Sequence, residues 1–515
     1  MNIKVRNRAV PRMVISAASA MLMLLAGVSA WAQVTTTVTS SSSVVVSEQQ
    51  RLQQLGADVS NLQVQGNSNT TEITKIEKAI TVAPPADANA KPATVGEHVG
   101  LLEKNFGDLK NDLATNLGIH VHGLVDAGYE YNVNRPDTAN SKGGSNAFST
   151  GGSLNQLRVF DPNANSFSLT QGNIHIDRTV DSGVGFVTDI NFGNVANVLG
   201  QATRYSNINP AGASNTIVDP TQFYLTYTAP VGTGINFSAG RFVTLLGEEV
   251  IPVYNNLDYN ETRSFLFGFA IPFTHTGIRA QYTVNDYVGG TIGVNNGWDD
   301  MSDGNDGKTV EGEVTLNTKD KNLSLVLNGI YGPEQVNNSH SKRGVFDTVV
   351  TWKPWFFNGV TLIGNYDFGH ETGPVWTAPL VTSFGNNLNN DLVGPNGTVK
   401  INHAVEWQGF AGYVIYDPTD ALELATRGEW FSDPDGARTG LKQNLGEITQ
   451  TIAYKIPGTT GLLSRFEYRH DESNARPFFS SDGFVQNPTT SPKFGLPLHT
   501  YSGQDTFTAA MIYSF

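Results

Sequence analysis

From residue 119 onward, apolar and polar side chains alternate with a period of two, in short runs broken by Gly-, Pro- and Asn-rich links. Such alternation predicts strands with one apolar and one polar face. Sixteen segments satisfy it: 119–131, 167–176, 183–192, 222–228, 234–242, 277–284, 287–295, 309–317, 322–331, 344–352, 359–369, 404–416, 421–431, 445–455, 461–471 and 503–515. Short links (DRTVDSG, APVGTG, VND, NTKDKN, KPWFFNG, DPTD, IPGTTG) alternate strictly with long ones at 132–166, 193–221, 243–276, 296–308, 332–343, 370–403, 432–444 and 472–502. An even strand number with turns short on one side and long on the other predicts an all-β fold, a transmembrane antiparallel β-barrel of about sixteen strands (fourteen to eighteen). The apolar stretch SFLFGFAIPF at 264–273 would make the number odd, and Pro272 cannot donate to a ladder, so it is assigned to the third long loop.

Upstream the period changes. Leu52, Leu55, Val59 and Leu62, then Ile73, Ile76 and Ile80, and after a PPADANAKPA linker Val95, Val99, Leu102, Phe106, Leu109 and Leu113 follow helical 3-4 spacing. The last set is a heptad seam about three heptads long, expected to form a short periplasmic coiled coil or to fold against the barrel mouth. Residues 33–47 form a flexible polar spacer. Residues 1–32 read as a signal peptide: Lys4, Arg6, Arg8 and Arg12, an apolar run over 13–28, then Ala30-Trp31-Ala32. The expected division is 1–32 signal peptide, 33–47 spacer, 48–118 helical segment and 119–515 barrel.

No stretch after residue 32 is long and apolar enough for a membrane helix, which leaves a closed barrel as the membrane-spanning form. The absence of Cys suits passage through an oxidising compartment. The net charge of −14, nearer about −18 without the four basic residues of the leader, argues against nucleic acid as a partner. The last strand, TFTAAMIYSF, ends on Phe515 with Phe507, Met511 and Tyr513 on one face. It has the form of the C-terminal signal read by the barrel-assembly machinery. The expected setting is the outer membrane of a Gram-negative cell, with both ends in the periplasm and lipid around the wall.

Faces follow from the cost of charge in lipid, about 2–4 kcal/mol per group at the midplane. Ile278, Ala280, Tyr282, Val310, Val314, Leu316, Leu422, Leu424 and Trp430 are placed outward. Arg279, Glu311, Glu313, Glu423, Arg427, Glu429, Arg465, Glu467 and Arg469 are placed on the lumen wall. Sixteen strands enclose more space than their side chains fill, which predicts a water channel. The third long loop is too apolar for water, with Phe265, Phe267, Phe269 and Phe273, and is expected to fold inward. Its Glu248, Glu249, Asp258, Glu261 and Arg263 then become candidates for a constriction facing Arg279 or the Arg465/Arg469 wall. The alternative is a loop that caps the barrel or packs on a neighbour.

Other chemistry is sparse. Asp299, Asp300, Asp303 and Asp306, with Asn305, crowd one loop but lack a calcium-loop pattern, and read as solvated acids. His120 and His122 share a face without a third ligand. No Ser stands in a nucleophile context beside His, so an enzyme is not expected, and no cofactor is implied. The segment before the barrel is too repetitive for the globular plug of a gated transporter.

AGRFVTLLGEEVI, SFLFGFAIPFTHTGIRAQY and VNNGWDD resemble the OmpL-like β-barrel porin family, over 119–515. That resemblance implies an outer-membrane porin and supplies no residue roles. A weaker analogy to general porins adds an inward third loop and a homotrimer. The expected function is passive diffusion of small hydrophilic solutes or ions with modest cation preference. The alternative is a non-conducting structural or adhesive barrel working through its surface loops.

Overall fold

In the computed structural model the described residues are 95–136, 153–179, 183–202, 204–205, 217–373, 375–376, 400–479 and 500–515. The expected leader, the spacer and the heptad positions before 95 lie outside them.

Sixteen strands form one closed antiparallel barrel. In chain order they are β1 His120–Asn132, β2 Ser166–Arg178, β3 Gly183–Phe192, β4 Val218–Ala229, β5 Ile235–Val243, β6 Thr274–Asn285, β7 Val288–Asn295 and β8 Thr309–Asn317. There follow β9 Leu323–Gly332, β10 Arg343–Trp352, β11 Val360–Glu371, β12 Val405–Thr419, β13 Leu422–Asp433, β14 Gln443–Lys455, β15 Leu462–Ser473 and β16 Gly503–Ser514. Every strand pairs with its sequence neighbours, and β1 pairs with β16 from Leu124↔Ser514 to Asn132↔Thr506 to close the ring. All sixteen expected strands form, in the expected order. The largest boundary difference is β4, which begins four residues early because the ladder shifts between Asp189 and Ile190 and admits Pro220 there.

The outer face is apolar, as a lipid-facing wall requires: Ile278, Ile292, Val310, Leu225 and Phe466 are exposed there. Residues 264–273 are not a strand. Leu266–Ala270 forms a π-helical turn inside the third long loop. Helix α1, Val95–Leu117, occupies the last heptad stretch. Midway along it Phe106 meets Phe515 edge-on, ring centroids 5.8 Å apart. A second helix, α2 Asn194–Ala202, lies in the second long loop, where no helical period was read. Among the described residues no helix is long and apolar enough to cross a membrane.

Candidate pore constriction

The third long loop, between β5 and β6, lies inside the barrel. Its ends stay paired, Thr244 N–H donating to the Phe273 carbonyl at 2.9 Å. Between them the chain visits three parts of the wall. The Glu248 amide donates to Asn365 Oδ1 of β11 at 3.1 Å. The Pro252 carbonyl then accepts from Gln171 Nε2 of β2 at 2.8 Å, and Tyr254 stacks on His122 of β1, 3.7 Å between centroids. The return limb runs along β12–β15, where Asn260 Nδ2 donates to Thr451 Oγ1 at 2.6 Å.

Apolar burial drives the insertion. Phe265, Phe267, Phe269 and Phe273 are all at most 6% exposed. Each buried Phe contributes about 1.5–3 kcal/mol. They pack with Phe431 of β13 and with Phe160 from the first long loop. That loop is itself fixed by Arg158, a fully buried side chain paired with Asp161 at 2.7 Å, Asp471 at 3.0 Å and Glu130 at 3.4 Å. Arg158 was not singled out in the sequence. Its one signal is a charged residue among apolar ones, LRVFD, inside a polar loop.

The wall charges grip the loop backbone. Glu467 of β15 accepts from the amides of Glu261 at 2.6 Å and Thr262 at 3.0 Å. Glu429 of β13 accepts the amides of Phe265 and Leu266, the start of the π turn. The arginines take carbonyls: Arg427 that of Thr262 at 2.7 Å, Arg469 that of Arg263 at 2.5 Å, and Arg465 those of Asn260 and Asp258. Buried amides and carbonyls that leave the ladder need partners, and these side chains supply them.

The loop's own charges close the network. Glu249 accepts from Ser264 N–H and Oγ and pairs with Arg427 at 2.5 Å. Asp258 pairs with Arg263 at 2.8 Å, and Glu261 with Arg465 at 3.3 Å. Arg427 also pairs with Glu447 at 2.6 Å. The acids and arginines expected to face each other across water are therefore in direct contact, because the apolar return limb brings the loop against β12–β15. Burial pushes the Asp258 carboxyl up to about 6, while Arg263 beside it pulls the other way. Glu248 is the exception: it stays half-exposed. Burial and the nearby Asp258, Glu249 and Asp347 push its carboxyl up to about 8.

Arg279 lies away from the loop acids. It reaches across β7 to Glu311 of β8, at 2.5 and 3.0 Å. Gly293 stands opposite both in the ladder, and a Cβ there would overlap the Glu311 carboxylate. Gly293→Val is expected to break this bidentate pair and destabilise the barrel by about 1–3 kcal/mol through overpacking. A lower temperature for the loss of heat-modifiable gel mobility would show it, and an unchanged temperature would refute the bridge's role. Glu313 and Glu423 are half-exposed, and among the described residues neither has a basic partner within ion-pair distance. Glu423 lines a cavity of about 500 Å³ with Asp417, Asp420 and Lys455.

The loop acids at 299–306 diverge. Asp299 accepts the amides of Phe273 and Thr274, at 2.8 and 2.9 Å, while Asp303 holds the Asn305 amide and Lys308. Asp300 is buried, and the Asp306 amide donates to Ser339. Among the described residues no group of three or more His, Asp or Glu side chains is placed to hold a metal ion. His120 faces Asp177 at 3.5 Å.

The lumen is two-sided. Its β11–β15 half is sealed by the loop, with Ile363, Tyr413, Ala425, Glu447 and Arg469 all buried. Toward the short turns the β4–β9 side is polar and accessible: Tyr224, Thr226, Asn236, Ser238, Gln281, Thr283, Glu313 and Thr315.

Among solved structures the chain is similar to OmpT, an outer membrane protein of Vibrio cholerae, at 10% identity and TM-score 0.42, over 77% of this chain and 97% of that one. It is also similar to the outer membrane channel DcaP of Acinetobacter baumannii, at 11% identity and TM-score 0.43, with the same coverages. An anion-selective porin from Comamonas acidovorans aligns at 9% identity and TM-score 0.45, over 77% and 99%. No curated protein sequence matches the chain. Residues 118–515 match the model of the family described as "Putative beta-barrel porin-2, OmpL-like", and the chain belongs to that porin family.

Proposed function

We propose that the barrel is a porin through which small hydrophilic solutes and ions diffuse passively, with cations preferred. The observation that carries this reading is the two-sided lumen. The inserted loop is held against one wall and leaves a polar, accessible surface along the other. A barrel of sixteen strands has room for both. Glu313 on that wall and Glu423 beside the short turn after β12 are half-exposed without a basic partner among the described residues, and Glu248 adds its charge only as it ionises, whereas Arg279 is neutralised by Glu311. The fixed charge left over is negative and favours cations. The proposed setting is the outer membrane, with the short turns facing the periplasm, insertion by the barrel-assembly machinery, and a homotrimer to which the seam along α1 contributes.

Glu248 gives the test. With its carboxyl near 8, it is neutral at lower pH and gains its charge as pH rises through that value. Cation selectivity, read as reversal potential under a salt gradient, is expected to increase across that range, and Glu248→Gln to flatten the increase. A wild-type potential that does not move, or one that moves equally in the variant, would take Glu248 out of the conduction path.

A second reading has its own observation. On the long-loop half, lumen positions all round the ring are buried, among them Asn191, Phe242, Asn295, Ile330, Val345 and Trp407. A barrel sealed there would work through its surface loops. It predicts a folded protein without conductance.

A further inference from the structure

Beneath the first limb of the inserted loop, two carboxylates stand side by side. Asp347 of β10 and Asp367 of β11 are direct cross-strand partners on the lumen face, and both are fully buried. Like charges opposed in this way repel, and burial raises the cost of charging either. Asp347 is provided for: Asn328 Nδ2 donates to its Oδ1 and Asn365 Nδ2 to its Oδ2, each at 2.6 Å. Asp367 is not: neither of its oxygens has a hydrogen-bond donor among the described residues. The charged groups that face the pair are themselves acidic. They are Glu248 from the loop, Glu313 from β8 and Glu429 from β13, the last already bonded to loop amides.

We propose that Asp347 and Asp367 share one proton, and that this acid pair seats the first limb of the constriction loop. The proton bridges the two carboxylates, gives Asp367 the hydrogen bond it otherwise lacks, and removes one of two adjacent buried charges. Its connection to the loop is short. Asn365 donates to Asp347 and accepts the Glu248 amide at 3.1 Å, so the pair and the limb share one side chain. Gly247, at φ +89°, makes the bend that brings this limb in, and a Cβ there would stand 2.7 Å from Ile271 Cδ1. The shared proton belongs to the folded arrangement, in which the two carboxylates meet. Its stabilising effect is present in acid and is lost as pH rises and the pair ionises. Loss of the proton places two charges under the limb and loosens its seat. This inference needs no conduction, and its test is independent of the pore reading.

The test is infrared spectroscopy of the refolded full chain carrying Glu248→Gln, which removes the neighbouring acid, compared with the same protein also carrying Asp367→Asn. Heat-modifiable mobility confirms that both barrels are folded. The expected difference spectrum at neutral pH contains one carboxylic-acid C=O band, shifted in D2O and abolished by alkali. The Asn variant, which needs no proton, is expected to lose less of its melting temperature than its parent as pH rises. Asp347→Asn serves as the second variant and is expected to remove the same band. The proposal is overturned if neither variant removes a band. It is overturned in favour of a metal site if no band is lost and melting rises with CaCl2 and falls with EDTA only while Asp367 is present.

Discussion

Replacing Arg427 with methionine is expected to loosen the inserted loop and to cost about 3–5 kcal/mol of barrel stability, the range for breaking a buried ion pair from one side. Arg427 is fully buried and meets Glu249 at 2.5 Å, Glu447 at 2.6 Å and the Thr262 carbonyl at 2.7 Å. Without it, among the described residues Glu249 keeps Ser264 as its hydrogen-bond partner, and Glu447 keeps Thr449 and Arg469, the latter at 3.3 Å. Two carboxylates in a dry site with one arginine fewer must take up protons or draw in water, and water enters by lifting the loop. The expected result is a lower melting temperature for heat-modifiable mobility and a larger, noisier single-channel conductance. Unchanged melting would mean that the Phe cluster alone holds the loop and the ionic clamp contributes nothing measurable.

Deleting 246–270 is the larger change and is expected to raise conductance several-fold. The excision suits the geometry, because the residues flanking the loop are already joined by the Thr244–Phe273 hydrogen bond. It exposes Arg427, Arg465, Arg469, Glu429 and Glu467 to water in place of the backbone groups they now hold. These charges alternate in sign, so the widened lumen should lose ion selectivity as it gains conductance. A deletion variant that folds but conducts as the parent does would place the limiting section elsewhere, at the first long loop or at α2.

The strands were legible because a lipid-facing wall enforces strict alternation and the breaks between them carry turn residues such as VND and DPTD. The lumen side of Arg427, Glu429, Arg465, Glu467 and Arg469 was legible for the same reason, since charge is expelled from lipid. What those side chains touch was not. Their partners are amides and carbonyls of the loop backbone, and every sequence offers the same backbone groups. The Arg279–Glu311 bridge was hidden differently. It depends on the register of three strands that bring a glycine between the two residues. Asp347 and Asp367 were unmarked because neither stands near the other in sequence, and their meeting follows only from the β10–β11 pairing. The inward loop was foreseeable from its four phenylalanines. That its acids would be spent on contacts, leaving Glu248 half-exposed, required the fold.

The most direct test of a water-filled pore is the single-channel conductance of the refolded chain in a planar bilayer, with reversal potential under a salt gradient. Stepwise openings with a cation-selective potential are the predicted result. A barrel proven folded by its gel mobility that gives no steps would contradict the account and leave the surface loops as its working part.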